Sequence, residues 1–173
     1  RQVLEMGLYP FEQLSQEQQE QLLDEAMPLA GVSELQNRLF NHLSGGEQQR
    51  SQFARVLVQV LAQQLLWPDR PAYLFLDEPL NSLDPQYQLS VLRVIRQVCD
   101  TRNLGVLMVL HDVNWAAYYA DRIVLLHEGR ILVDDKPKQA LSVENLRAVF
   151  GLTAHIQTHP IHPDKLWLLW QDE

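Results

Sequence analysis

The run Leu43-Ser44-Gly45-Gly46-Glu47-Gln48-Gln49-Arg50 sets a hydroxyl, two glycines and a carboxylate ahead of a long apolar-striped segment. Ser44 with Glu47 three residues later reads as a capping box at a helix start. Two glycines in a first turn cost a helix about 1 kcal/mol each relative to alanine. They fit a place where a ligand comes close against the backbone. The open amides and the positive dipole end of a helix start favour an anion, and phosphate above all. A second group, Asp77-Glu78, closes the apolar run Tyr73-Leu74-Phe75-Leu76, at the edge where open α/β sheets place their ligands. There Asp77 suits a magnesium ion held through its water shell. Glu78 suits a base that polarises the water attacking a terminal phosphate. Solvated acids at a strand end are the plainer alternative, and Pro79 with the turn Asn81-Ser82-Leu83-Asp84 weighs against it. His111 follows another apolar run, Val106 to Leu110, at the same sheet edge. It would contact the γ-phosphate and help orient the water, although a lone histidine is more often a packed or surface residue.

These residues need elements to hold them. A helix from about Gly46 to Leu66 is predicted by Phe53, Leu57, Leu61 and Leu65, one every fourth residue. Pro68 and Pro71 end it. Ala72 to Leu76 reads as a strand apolar on both faces, as in a parallel sheet covered on both sides. Asp84-Pro85 is a helix start, with Val91, Ile95 and Val98 on its buried stripe and Gly105 as its breaker. A helix over Val113 to Tyr119, a strand over Ile123 to Leu126, a turn at Glu128-Gly129 and a strand over Ile131 to Val133 follow. The alternation of strand and helix predicts an open α/β sheet with crossover helices. Residues 1–43 read as short helices and loops, with Ser15 ahead of a glutamine-rich helix whose partial stripe stops before Pro28. The helix between Ser44 and Asp77 is about 30 Å long. That length separates Ser44 from the carboxylates and assigns it to a site completed by a two-fold partner.

Bulk properties narrow the class. The 173 residues carry 22 Asp and Glu against 14 Lys and Arg, a net charge of −8 that argues against a general nucleic-acid surface. The single cysteine, Cys99, has no internal partner and reads as a small core residue in a reducing compartment. No apolar run approaches the ~20 residues that cross a bilayer, and the start does not resemble a signal peptide. Any membrane role is expected to come through a partner.

Taken in order, these motifs resemble one family. Leu43 to Arg50 resembles the signature motif of the ATP-binding-cassette ATPases, Tyr73 to Glu78 their Walker B strand, Asn81 to Asp84 their D-loop and His111 their switch histidine. Glu47 stands where many members have glutamine. Val3-Leu4-Glu5-Met6-Gly7, Ala54-Arg55-Val56-Leu57, His111-Asp112-Val113-Asn114 and Tyr119-Ala120-Asp121-Arg122-Ile123 are similar to ATPases of bacterial importers, haem (hemin) first, then cobalamin and iron–siderophores. The resemblance implies a partial P-loop NTPase, an α/β fold whose parallel sheet has helices on both faces, plus a helical subdomain. It divides the chain into a signature subdomain (1–70), the Walker B and switch-histidine half of the core (71–150) and a C-terminal appendage (151–173). ATP and Mg2+ are the implied cofactors, with Asp77 on the metal through water, Glu78 and His111 catalytic, and Asp84 in the D-loop. Ser44, Gly45, Gly46 and Glu47 would serve the ATP of the partner subunit in a homodimer. Integral-membrane permease subunits would dock on residues 1–43, with a periplasmic substrate-binding protein engaged indirectly and no nucleic acid. The implied location is the cytoplasmic face of the inner membrane.

The phosphate cradle G-x-x-x-x-G-K-[S/T] is absent from these residues. The chain is therefore read as a fragment that begins after the P-loop and does not hydrolyse ATP unaided. A truncated, non-catalytic interaction module is the competing class. A soluble repair or translation ATPase is disfavoured, since the insertion or second cassette it would carry is not seen. Met6, Leu8, Tyr9 and Phe11 around Gly7 and Pro10 form an apolar cluster suited to docking or to packing on the next helix. His155, His159 and His162 read as exposed loop histidines, because Pro160 and Pro163 break any regular presentation. Trp167 and Trp170 read as capping a hydrophobic patch, and Trp115, Tyr118 and Tyr119 as packing.

Overall fold

The computed structural model describes residues 1–81 and 83–171, so Ser82 of the expected D-loop lies outside the described residues. They form two compact units, which divide between Val109 and Leu110.

The first unit begins with helix α1 (Gln2–Glu5), a 3-10 turn over Met6–Leu8 and helix α2 (Gln16–Leu29). Leu4, Leu8 and Phe11 are buried, whereas Met6 and Tyr9 are exposed, so the apolar cluster divides between packing and surface. Gly7 lies directly against helix α3 (Gly45–Leu66), where a Cβ would stand 2.6 Å from the Arg55 carbonyl oxygen. Ser15 and Gln18 form a complete capping box at α2. Pro28 falls inside the last turn of that helix instead of ending it, because a proline there forfeits a single hydrogen bond at an end that frays anyway. Phe53, Leu57 and Leu61 of α3 are buried, but Leu65 is exposed. A four-residue step overshoots a helical turn by about 40°, so by the third step the stripe has left the buried face.

Strand β1 (Ala72–Leu76) pairs in parallel with β2 (Leu104–Met108), Ala72 opposite Leu104 and Leu76 opposite Met108. Helix α4 (Pro85–Thr101) joins them and buries Val91, Leu92, Val94, Ile95 and Val98. The expected cover on both faces is not what the described residues provide. Ala72 and Leu74 are buried, while Tyr73 and Phe75 on the other face are 71% and 73% exposed. Gly105 does not break α4, which stops at Thr101. It lies in β2 opposite Tyr73, whose ring would meet a Cβ at 3.1 Å.

The second unit holds helix α5 (Val113–Tyr119), strands β3 (Ile123–His127) and β4 (Arg130–Asp135), helices α6 (Pro137–Ala140) and α7 (Val143–Phe150), and strands β5 (Thr153–Thr158) and β6 (Leu166–Gln171). The third strand was expected to extend the parallel sheet. It pairs antiparallel with β4 instead. Glu128 and Gly129, both at positive φ, form the two-residue turn that such a hairpin requires. Strands β5 and β6 make a second hairpin. Val113, Ala117, Ile123, Leu125, Leu141, Leu146, Ala154 and Leu168 share one core. The Asn114 amide docks on β6 as a strand would, donating to the Leu168 carbonyl (3.1 Å) and accepting from its N–H (2.8 Å). Among the described residues, no helix is long and apolar enough to cross a membrane.

Candidate functional site

Helix α3 starts as the sequence predicts. Ser44 Oγ accepts the Glu47 N–H at 3.3 Å, and Glu47 Oε2 accepts the Ser44 N–H at 2.7 Å. Arg38 reaches the other Glu47 oxygen at 2.7 Å. The Ser44 amide, then its hydroxyl, and Arg38 hold the Glu47 carboxyl below the usual carboxylate range. Glu47 is thus committed to the cap. Ser44 and Gly45 are exposed, and a Cβ on Gly45 would meet nothing within 4 Å. The amides of Gly45 and Gly46 precede the first intrahelical bond, which Gln48 makes to the Ser44 carbonyl at 2.8 Å. An anion can approach this end without displacing a side chain.

A glutamine clips the loop in front of the helix. Gln48 Nε2 donates to the carbonyls of Phe40 and Leu43, both at 3.2 Å. The same device recurs at α4, where Asp84 Oδ1 caps Gln86 and Tyr87 and Gln88 Nε2 donates to Leu80 and Leu83 at 3.2 Å. It recurs at α2, where Gln19 reaches the Leu14 carbonyl. In each case the order is Leu, cap residue, three residues, Gln. Asp84 therefore acts as a helix cap within this chain.

Asp77 is exposed just beyond β1, and Glu78 after it is half-buried. Glu78 has φ +47°, a left-handed conformation uncommon for a residue with a side chain. Asn81 defines the turn, its N–H donating to the Glu78 carbonyl at 3.2 Å and its side-chain amide to Glu78 Oε2. Helix α3 meets this turn: Gln49 Nε2 donates to the Pro79 carbonyl at 3.0 Å. Arg50, 6% exposed, lies over the Tyr87 ring with Cζ 3.6 Å from its centroid.

The Gln49 contact overturns the inference drawn from helix length. The chain doubles back after α3, so the beginning of that helix and the end of β1 lie together in one chain. Helix length by itself therefore does not separate the two, and the assignment of Ser44 to a partner's nucleotide rests on resemblance alone. Gln49, the Asn81–Glu78 contact and the Arg50–Tyr87 pair were not anticipated. Only the recurring Leu, cap, Gln spacing could have pointed towards such ties.

His111 belongs to the second unit, exposed between β2 and α5, next to the α5 cap Asp112. His155 is not a loop residue but stands on β5. His159 and His162 do lie between the strands, where His159 Nδ1 accepts the N–H groups of Ile161 (3.2 Å) and His162 (3.1 Å). Their rings pack on Tyr118, and that of His159 also on Trp167, while Trp170 stacks edge-on with Phe150. Among the described residues, no group of three or more His, Cys, Asp or Glu side chains could hold a metal ion. The donor at the turn is a single exposed carboxylate, Asp77. That fits magnesium, which is held by one or two carboxylates together with waters and substrate phosphates.

No family model matches the sequence. It is 43% identical over 169 residues to the hemin import ATP-binding protein HmuV of Bordetella avium (strain 197N), covering 98% of this chain and 64% of that protein. It is 43% identical over 160 residues to the protein of the same name from Vibrio vulnificus (strain YJ016), covering 92% and 59%. The chain thus spans less than two thirds of the length of these relatives. Among solved structures, a metal-chelate-type ABC transporter in an inward-facing conformation superposes with a TM-score of 0.77, covering 98% of this chain and 65% of that one. At 23% identity that likeness establishes the fold. The chain thus has the fold of the ATP-binding-cassette ATPases, and almost its whole length is similar in sequence to hemin import ATP-binding proteins.

Proposed function

We propose that this chain is the signature and Walker B portion of the ATP-hydrolysing subunit of a bacterial importer, with hemin as the cargo. The observation that carries this is the meeting of two motifs far apart in sequence. The Ser44-Gly45-Gly46 helix start is joined through Gln49 to the turn that presents Asp77 and Glu78. The hemin assignment rests on the names of the relatives, with cobalamin or iron–siderophore import as the alternatives.

The residues divide the work as follows. Ser44 and the amides of Gly45 and Gly46 receive a terminal phosphate, which the family resemblance assigns to a partner subunit's ATP. Asp77 holds Mg2+ through water, and the ion neutralises phosphate charge when bound. Glu78 takes the proton of the attacking water, its carboxylate oriented by Asn81. His111 is the second catalytic group, contacting the γ-phosphate. Asp84 fixes the start of α4 and with it the D-loop. The partners are a second ATPase subunit, integral-membrane permease subunits and, through these, a periplasmic binding protein, with the ATPase at the cytoplasmic face. Exposed Met6 and Tyr9 are the surface offered to the permease. A division into residues 1–70, 71–150 and 151–173 accompanies this reading.

Glu78→Gln in the full-length transporter tests it. The substitution keeps the size of the side chain and removes the base. Hydrolysis is expected to fall by about 100-fold or more while ATP binding is retained. Turnover near the parent rate would exclude Glu78 as the base.

A further inference from the structure

We propose that Gln49 is a positioning residue that transmits occupancy of the Ser44–Gly46 helix start to the Glu78 carboxylate. This rests on the reading of Glu78 as the base and goes beyond it by naming a link from the helix start, which serves the partner subunit's ATP, to the carboxylate that serves this chain's own.

The turn at residues 78–81 is fixed from within by Asn81, which bonds both the backbone and the carboxylate of Glu78. Two glutamines fix it from outside: Gln88 of α4 on the Leu80 carbonyl and Gln49 of α3 on the Pro79 carbonyl. Of these two helices, only α3 opens on the phosphate-receiving glycines. Gln49 lies five positions after Ser44, less than one and a half turns at about 3.6 residues per turn, so helix start and amide move as one stiff body. The peptide it holds is that of Pro79, the residue after Glu78. Glu78 already has φ +47°, a conformation that persists only where its surroundings impose it. Drawing the helix start towards a phosphate shifts the Pro79 carbonyl, and with it the aim of the neighbouring carboxylate. Arg50 over Tyr87 joins the same helix turn to the first turn of α4, and so keeps α3 in register with the segment it acts on.

The test uses the full-length ATPase assembled with its permease. Gln49→Met keeps the length of the side chain and removes the donor, while Gln49→Lys keeps a donor. Gln49→Met is expected to lower kcat by about 10-fold, the scale of one lost positioning hydrogen bond, with ATP affinity and melting temperature unchanged. Gln49→Lys is expected to recover most of that loss. Combining Gln49→Met with Asn81→Ala should cost less than the product of the two single effects, since both act through one carboxylate. Parent-like kcat in Gln49→Met overturns the proposal while Glu78→Gln remains inactive. So does equal loss in the Met and Lys variants accompanied by a lower melting temperature, which would mark Gln49 as packing. If Glu78→Gln itself turns over, the assignment of the base falls, and the coupling falls with it.

Discussion

Glu78 holds a left-handed backbone conformation that costs a residue with a side chain of order 1–3 kcal/mol. The three hydrogen bonds around it, two from Asn81 and one to Pro79, are what sustain it. Glu47 shows how charge is used in the same assembly. Its carboxylate is stabilised by the Ser44 amide, then by the Ser44 hydroxyl and Arg38, so its pKa is lower folded than unfolded. Its stabilisation is therefore complete above the unfolded value of about 4.3 and is lost as pH falls through the lowered folded value. Glu47→Gln should melt below the parent at neutral pH, and the gap should close on acidification, as thermal unfolding followed across pH will show. A gap independent of pH would mean that the charge contributes nothing. The Ser44–Glu47 pairing was legible in the sequence because a capping box is local. The positive φ of Glu78 was not, since nothing in the side-chain type demands it and tertiary hydrogen bonds impose it.

Among the elements, local chemistry again marks what could be read in advance. Asp84-Pro85 starts α4, and Glu128-Gly129 closes the β3–β4 hairpin, as their residue types require. Pairing over longer range was not legible. Ile123–His127 has the apolar character of another parallel strand but takes β4 as its partner. Tyr73 and Phe75 read as buried although their side of β1 is exposed. Gly7 gives a prediction at this scale. Alanine is normally better than glycine in a helical turn by about 1 kcal/mol. Here the new Cβ would sit 2.6 Å from a backbone oxygen of α3, and such overpacking costs typically ~1–3 kcal/mol. Gly7→Ala should therefore destabilise the first unit, measured by urea unfolding. An unchanged midpoint would show that α1 can shift away from α3 without cost.

For the molecule as a whole, each unit buries apolar residues of its own, and the second gathers its core from six helical or strand segments within residues 113–168. Leu146 is completely buried there. Leu146→Ala should cost about 2–5 kcal/mol, read by hydrogen exchange as a loss of protection confined to residues 110–173. Loss spread equally over residues 1–109 would mean that the two units unfold as one. The glutamine clips bear on a different matter, the time at which the chain becomes organised. Each closes a span of five to eight residues, and short loops of that kind close within about 0.1 μs. Strand β1, by contrast, waits for a partner that begins only at Leu104. At about 5–20 residues per second during synthesis, the clips around Ser44 have seconds in which to close before the sheet can pair. The clips around Ser44 can thus close in a nascent chain well before β1 meets β2, whose pairing leaves Tyr73 and Phe75 exposed.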